Sequence, residues 1–248
     1  MEIYPHMPNL DLSQANEDYL RTIYALGGAH TRVSTNQIAD ALQVRPASVT
    51  GMIQKMAETE PPLVDYQKHQ GVILSPSGRR AALRVVRHHR LLELFLEQIL
   101  GYEWDQVHAE ADRLEHVISP ELERRIFEIL GQPQHDPHGA PIPTAELQLP
   151  RETKLRLSEL ETGQQAVIIA VPDEDSSLLR YLAEIGLRPQ VQVSVLAKSH
   201  FDGNLHLQIE GTSEPVVLGP AVTEQVAVQI LGGSSSSPFP DPETPSST

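Results

Sequence analysis

Cysteine is absent from all 248 residues. That excludes a disulfide framework, a thiolate metal site and a cysteine nucleophile. Long hydrophobic runs are missing too: none approaches the roughly 20 residues that a membrane helix needs, so no membrane partner is expected. The N-terminal stretch carries acids and prolines, with neither a basic start nor an apolar segment. No secretory signal is visible in it, and the chain reads as cytoplasmic. Bases are scarce, with 19 Lys and Arg against 33 Asp and Glu, for a net charge of −14. A uniform spread of that charge would repel nucleic acid.

The spread is uneven. Between Arg45 and Leu92 eight Lys/Arg stand against three Asp/Glu, whereas between Glu93 and His116 seven acids stand against a single Arg. After Gly131 the balance is again acidic, six bases to fifteen acids. A basic block that abuts an acidic one is more informative than the total. The first can meet phosphates; the second asks for a cation.

The hydrophobic spacing predicts a helix over 12–26, with Ser13 as its cap and Leu20, Ile23 and Tyr24 on its apolar stripe. A second helix is expected over 34–42. After the turn at Gln43-Val44-Arg45, Pro46 opens a third helix running to about Ala57. Two short strand-like runs, 63–66 and 71–74, flank the polar tip Lys68-His69-Gln70, and a hairpin directly after a helix-turn-helix is the winged-helix pattern. Long helices are expected over 77–100 and 104–118, with a shorter one over 120–130. Residues 132–150 hold five prolines and read as a linker or structured loop. From Leu155 to Leu231 the pattern turns to strands (166–171, 191–196, 206–210, 226–231) with one helix near 177–185. The expected fold is therefore mainly α with β. It divides into a winged helix-turn-helix (1–76), a helical dimerisation and metal-binding domain with a Pro-rich linker (77–150), an SH3-like small β-barrel (151–231) and a Gly/Ser/Pro-rich tail (232–248).

On the third helix Val49, Met52, Ile53 and Met56 face inward. The outer face carries Ala47, Ser48, Thr50, Gly51, Gln54 and Lys55. A thymine methyl can pack on Ala47, Gln54 can bond an adenine edge, and Gly51 leaves room for close approach to the groove. Arg45 and Lys55, with Lys68 on the wing, can fix register on phosphates. Arg79, Arg80, Arg84, Arg87 and Arg90 follow on the next helix with no acid between them, which strengthens the reading as a DNA-binding module over a protein-docking winged helix.

The acidic block carries His108, Asp112, Glu115 and His116 at i, i+4, i+7 and i+8, on one face of one helix. His89 and Glu93, also four apart, share a face of the preceding helix. Two antiparallel helices would bring these six groups together around one or two divalent ions. A wet helix face is the plain alternative, but like charges at helical spacing repel unless a cation screens them. The His135-Asp136-Pro137-His138-Gly139 stretch has ligand-type residues too, yet its proline and glycine suit a structural turn.

Several segments together resemble the diphtheria-toxin-repressor family of metalloregulators, including its manganese-sensing branch. They are Asp18-Tyr19-Leu20-Arg21-Thr22-Ile23-Tyr24, Pro46-Ala47-Ser48-Val49-Thr50, His89-Arg90-Leu91-Leu92-Glu93, the run from His108 to His116, and Gly139-Ala140-Pro141-Ile142-Pro143. The resemblance implies a homodimer on a palindromic DNA operator, and a metal-dependent regulator, as a rule a repressor, of metal-uptake or homeostasis genes. It assigns no catalysis and no small-molecule substrate. By position it places a primary metal site at Asp18, Asp112, Glu115 and His116, and an ancillary one at His89, Glu93 and His108. A carboxylate from Asp173-Glu174-Asp175, with Glu174 and Asp175 as the candidates, would join the ancillary site. The C-terminal part looks like the family's SH3-like domain, related to ferrous-transport accessory (FeoA-like) domains.

The chain also departs from the family. Iron-type members have methionine where Asp18 stands and cysteine where Asp112 stands. Hard carboxylates in both places favour Mn(II), with Fe(II) as the alternative and Co, Ni, Zn and Cd able to bind in vitro. Manganese-type members have a glutamate where this chain has Arg21, which removes a bridging ligand for a two-metal centre. The rival readings are a metallohydrolase, since such clusters also activate water, and a transport accessory protein that uses the barrel alone. The first lacks a separate general base or phosphate-cradling loop, and the second leaves the winged helix unexplained.

Overall fold

The computed structural model describes residues 12–150 and 155–231, and the tail from Gly232 expected above lies outside them. The described residues fall into two compact units. The first comprises residues 12–150 with Pro172–Tyr181; the second comprises Leu155–Val171 and Leu182–Leu231.

In the first unit α1 (Gln14–Ala25) is capped by Ser13, whose side chain accepts from the Asn16 amide. A capping box between Ser34 and Gln37 opens α2 (Thr35–Ala41), and Pro46 opens α3 (Pro46–Ala57). These caps satisfy amides that have no partner within the helix. The wing is an antiparallel hairpin of β1 (Val64–Gln67) and β2 (Gly71–Leu74), extended by a bridge from Val72 to Val33. It is followed by α4 (Pro76–Gln98), capped by Ser75. Gly78 on α4 is needed for contact, because a Cβ there would lie 1.9 Å from the Leu63 carbonyl oxygen. The core of the winged helix includes Leu20, Ile23, Ile38, Val49, Ile53 and Met56.

A second core, with Leu91, Leu92, Leu96, Val107, Ala111 and Ile126, joins α4 to α5 (Val107–Leu114) and α6 (Pro120–Ile129). The helix expected over 104–118 is shorter at both ends: Trp104–Gln106 form a turn, and Glu115 closes α5 as its C-cap. Residues 132–143 form an ordered loop. It is pinned by the Trp104 indole N–H donating to the Pro137 carbonyl at 3.0 Å and by Arg87 and Arg90 donating to the Pro143 and Pro141 carbonyls. Of the five arginines read as a basic stripe, three are spent inside the unit. Arg87 is 3% exposed and pairs with Glu123 at 2.6 Å, Arg84 pairs with Glu17 and Arg90 with Asp136, whereas Arg79 and Arg80 are exposed.

The second unit is an antiparallel six-stranded sheet in the order β3 (Leu155–Arg156), β8 (Ala227–Ile230), β4 (Gln165–Ala170), β5 (Gln192–Lys198), β6 (Leu205–Ile209) and β7 (Val216–Leu218). Bulges in β4 and β5 bend it around Ile168, Val193, Val195, Leu207 and Val228. This is the SH3-like domain expected from the strand pattern, with two short strands, β3 and β7, that the pattern did not reveal. The helix α7 (Ser176–Glu184), the short α8 (Pro220–Thr223) and a single 3-10 turn (Leu157–Glu159) complete the described elements.

Candidate metal centre

The antiparallel packing of α4 on α5 brings the ligand-type faces together, and α1 closes over them. One lobe forms around His116. Its Nε2 lies 2.9 Å from Asp18 Oδ1 and 3.3 Å from Glu115 Oε1. Its Nδ1 is held at 2.7 Å by Glu17, which is 9% exposed and which the sequence reading passed over. A second lobe forms around Glu93, which is fully buried: Oε1 lies 2.9 Å from His89 Nε2 and 3.0 Å from His108 Nδ1. Between the lobes, His89 Nδ1 faces Glu115 Oε2 at 2.6 Å and Asp112 Oδ1 at 3.3 Å.

The loop read as a turn adds two more ligand-type groups to the second lobe. Asp136 and His138 lie with Glu93 in one group whose ligand atoms are all within 4.8 Å of each other, at exposures of 5%, 0% and 0%. Asp136 does make the expected turn, since Oδ1 accepts from the His138 and Ala140 amides. Its Oδ2 makes no hydrogen bond, and neither does Glu93 Oε2 nor His138 Nδ1. The other ring nitrogen of His138 lies 3.1 Å from the Trp104 carbonyl. Donating its proton there leaves the Nδ1 lone pair aimed into the group. The signal in the sequence was the spacing of Asp136 and His138 on one loop, and it was outweighed by proline and glycine. Of the acidic run 173–175, Asp173 comes within 4.0 Å of His108 Nδ1. Glu174 is exposed and Asp175 accepts from the Ser177 and Leu178 amides at the start of α7, so the carboxylate near the centre is Asp173 instead of the two expected.

Charge is tightly balanced here. Burial works against the His89 cation, but Glu93, Asp112 and Glu115 outweigh it and raise the ring well above its usual range. Burial opposes the Asp112 carboxylate likewise, but the His89 hydrogen bond and Arg21 hold it below the usual range. Burial and then the Glu93 charge push Asp136 up to about 7. A cation entering this group would compete with protons for the same lone pairs.

These three buried atoms converge with no hydrogen bond and only long ion pairs, at 3.6 Å from Arg90 to Asp136 and 3.9 Å from His138 to Glu93, which is costly to a fold unless something else meets them. An all-oxygen-and-nitrogen donor set around them fits a hard or borderline divalent cation. On the winged helix, Arg45, Pro46, Ala47, Ser48, Gly51, Gln54 and Lys55 are exposed on α3, as is Lys68 at the wing tip. Thr50 is half-buried, and its hydroxyl donates to the Pro46 carbonyl at 3.2 Å, so it offers mainly its methyl. A Cβ on Gly51 would meet nothing within 4 Å. The chain's own packing therefore does not require this mid-helix glycine.

Family models for an iron dependent repressor match twice, as an N-terminal DNA binding domain over residues 11–72 and as a metal binding and dimerisation domain over residues 75–144. An FeoA domain model matches residues 155–230. Iron-dependent repressor IdeR of Mycobacterium leprae (strain TN) is 31% identical over 231 residues, which span 88% of this chain and 98% of the relative. The chain belongs to the iron-dependent repressor family. A solved manganese-dependent transcriptional repressor in complex with manganese is 39% identical, covering 87% of this chain and 100% of its own, with a TM-score of 0.79. The structure of ScaR with bound Zn2+ is 30% identical over 87% of this chain and 99% of its own, at a TM-score of 0.74. The iron-dependent repressor family consists of metal-dependent DNA-binding repressors, not enzymes, which removes the metallohydrolase alternative. Among the described residues no helix is long and apolar enough to cross a membrane.

Glu17 stands behind His116 as carboxylates stand behind metal-bound imidazoles in general, fixing ring orientation and raising ligand basicity. Glu17→Gln keeps the shape but not the charge. It is expected to weaken divalent-cation binding by about tenfold or more, read by calorimetry with Mn(II) as the probe, while Glu17→Asp recovers part of the loss. Unchanged affinity in the Gln variant would show that Glu17 only packs α1.

Proposed function

We propose that this chain is a manganese-responsive repressor that grips a palindromic operator as a homodimer and controls genes of metal uptake or homeostasis, with Fe(II) as the alternative activator. The observation that carries this reading is the convergence of the buried Glu93 Oε2, Asp136 Oδ2 and His138 Nδ1, none of which makes a hydrogen bond, beside a second lobe, all within a donor set free of sulfur. The manganese-bound neighbour supports Mn(II), and the iron-dependent relatives keep Fe(II) in view. Intrinsic affinity order runs against manganese, so its availability contributes to selection.

The primary site comprises Asp18, Asp112, Glu115 and His116. The second comprises Glu93, His108, Asp136 and His138, with Asp173 at its rim and His89 between the two. A divalent cation supplies charge neutralisation among carboxylates that otherwise repel. Asp18 and His116 then hold α1, and with it the winged helix, against α5. Exposed Leu100, Val117, Leu122 and Ile129 supply apolar surface for a partner protomer. The two α3 helices would then reach major grooves about 34 Å apart, or a multiple of that. There Ala47, Gln54 and the open space at Gly51 meet base edges, and Arg45, Lys55 and Lys68 meet phosphates.

A gel-shift assay across Mn(II), Fe(II), Co(II) and Ni(II) tests the reading. The unaltered chain should respond best to Mn(II) or Fe(II). Asp18→Met combined with Asp112→Cys should move the response toward Fe(II), Co(II) or Ni(II), and an unchanged rank order would show that donor hardness is not what selects.

A further inference from the structure

Arg21 sits where the metal reading leaves room for another cation. Its Nη1 alone lies 2.8 Å from Asp112 Oδ1, 2.9 Å from Glu115 Oε2 and 2.9 Å from His89 Nδ1. An arginine that simply pairs with a carboxylate tends to use two nitrogens as a fork. Here one nitrogen bridges two carboxylates, those of Asp112 and Glu115, as a point charge would, with the His89 ring packed beside it. The Glu115 side chain is fully buried and that of His89 is 6% exposed, so these groups have little recourse to water. The Arg21 side chain is 26% exposed. Burial opposes its charge, and Glu115 and Asp112 more than offset that.

We propose that Arg21 is a tethered substitute for a second cation in the primary centre: it occupies the position between Asp112, Glu115 and His89 and so restricts that centre to one metal ion. The inference rests on the metal-site reading above and adds a determinant of nuclearity. Glu115 has its two oxygens on opposite sides of this arrangement, Oε1 toward His116 and Oε2 toward Arg21. That is the placement of a carboxylate bridging two cations, which sit about 3.5–4 Å apart in two-metal sites. Donors at 2.8–2.9 Å from the Arg21 nitrogen need close in by only about 0.7 Å to reach a metal bond length near 2.2 Å. The guanidinium cannot lose its proton at any ordinary pH, so the position carries a fixed positive charge that a competing ion must displace.

The test counts Mn(II) per chain by equilibrium dialysis and records its electron paramagnetic resonance spectrum, for the full chain and for Arg21→Lys, Arg21→Met and Arg21→Glu. The unaltered chain and the Lys variant are expected to bind the same number of ions. The Met variant should take up one more at elevated Mn(II), and the Glu variant one more at lower Mn(II), both with the exchange-coupled signal of a carboxylate-bridged pair. An unchanged count with uncoupled spectra in both the Met and Glu variants would overturn the inference. Failure of the unaltered chain to bind any Mn(II) would instead remove the metal-site reading on which it rests. Should the Glu variant not fold, the Met and Lys variants decide the question between them.

Discussion

Chelating the metal is expected to weaken operator binding by about 100-fold, near the upper end of ordinary coupling between two sites. One route for the coupling is α1, whose Glu17, Asp18 and Arg21 contact ligand-type groups of the α5 region. Asp18 and Glu115 face one ring nitrogen of His116, and the burial of Asp18 raises its pKa above the usual value. A cation held by Asp18 and His116 would add to the ion pairs that already attach α1 to the α5 region. The cation has to bind the DNA-competent arrangement better than the loose one, or nothing shifts. Glu115→Gln removes one charge at the junction and should bind operator in Mn(II) as weakly as the parent does in chelator. The measurement is fluorescence anisotropy on a labelled operator. Equal affinity of the parent in Mn(II) and in chelator would end the sensor interpretation.

A fourfold rise in salt, from 50 to 200 mM, is expected to cost operator affinity about 10³-fold, the fall appropriate to some six phosphate contacts. The net charge of −14 argues the other way. What decides is local. Arg45, Lys55 and Lys68 are exposed around α3 and the wing, and two protomers double them. Because Arg84, Arg87 and Arg90 are engaged within the unit, they add little to this count. Lys55→Gln should lower the slope of log affinity against log salt by about two per dimer, one for each lost phosphate contact. A slope that does not change would place Lys55 away from the backbone.

The fold was legible because each element announced itself by cap and period. Ser13 and Pro46 mark helix starts in the sequence and do so in the structure. The three-residue β7 and two-residue β3 were too short for any alternation to register. The metal face was legible for a comparable reason: His89 with Glu93, and His108 with Asp112, lie four apart on helices. What stayed hidden depends on tertiary distance. Glu17 reaches His116 across 99 positions of chain. Asp136 and His138 approach Glu93 only because Trp104 and the arginines of α4 fold the loop back. The same holds for the arginines read as a DNA-facing stripe, since no local pattern tells a phosphate-seeking guanidinium from one that holds a carbonyl or carboxylate inside.

Helix α4 runs unbroken for 23 residues, with Ala81 and Ala82 in the winged-helix core and Leu91, Leu92 and Leu96 in the core beside the metal groups. It is a rod about 35 Å long, and no linker separates the part that reads DNA from the part that senses metal. A flexible hinge could absorb a small disturbance at the sensor; a stiff lever carries it. A tilt of about three degrees at one end of such a rod displaces the other by nearly 2 Å. That is comparable to the tolerance of a side chain seated against a base edge. The repressor therefore needs no large rearrangement to lose its grip, only a slight loss of alignment at the end where α1 is docked.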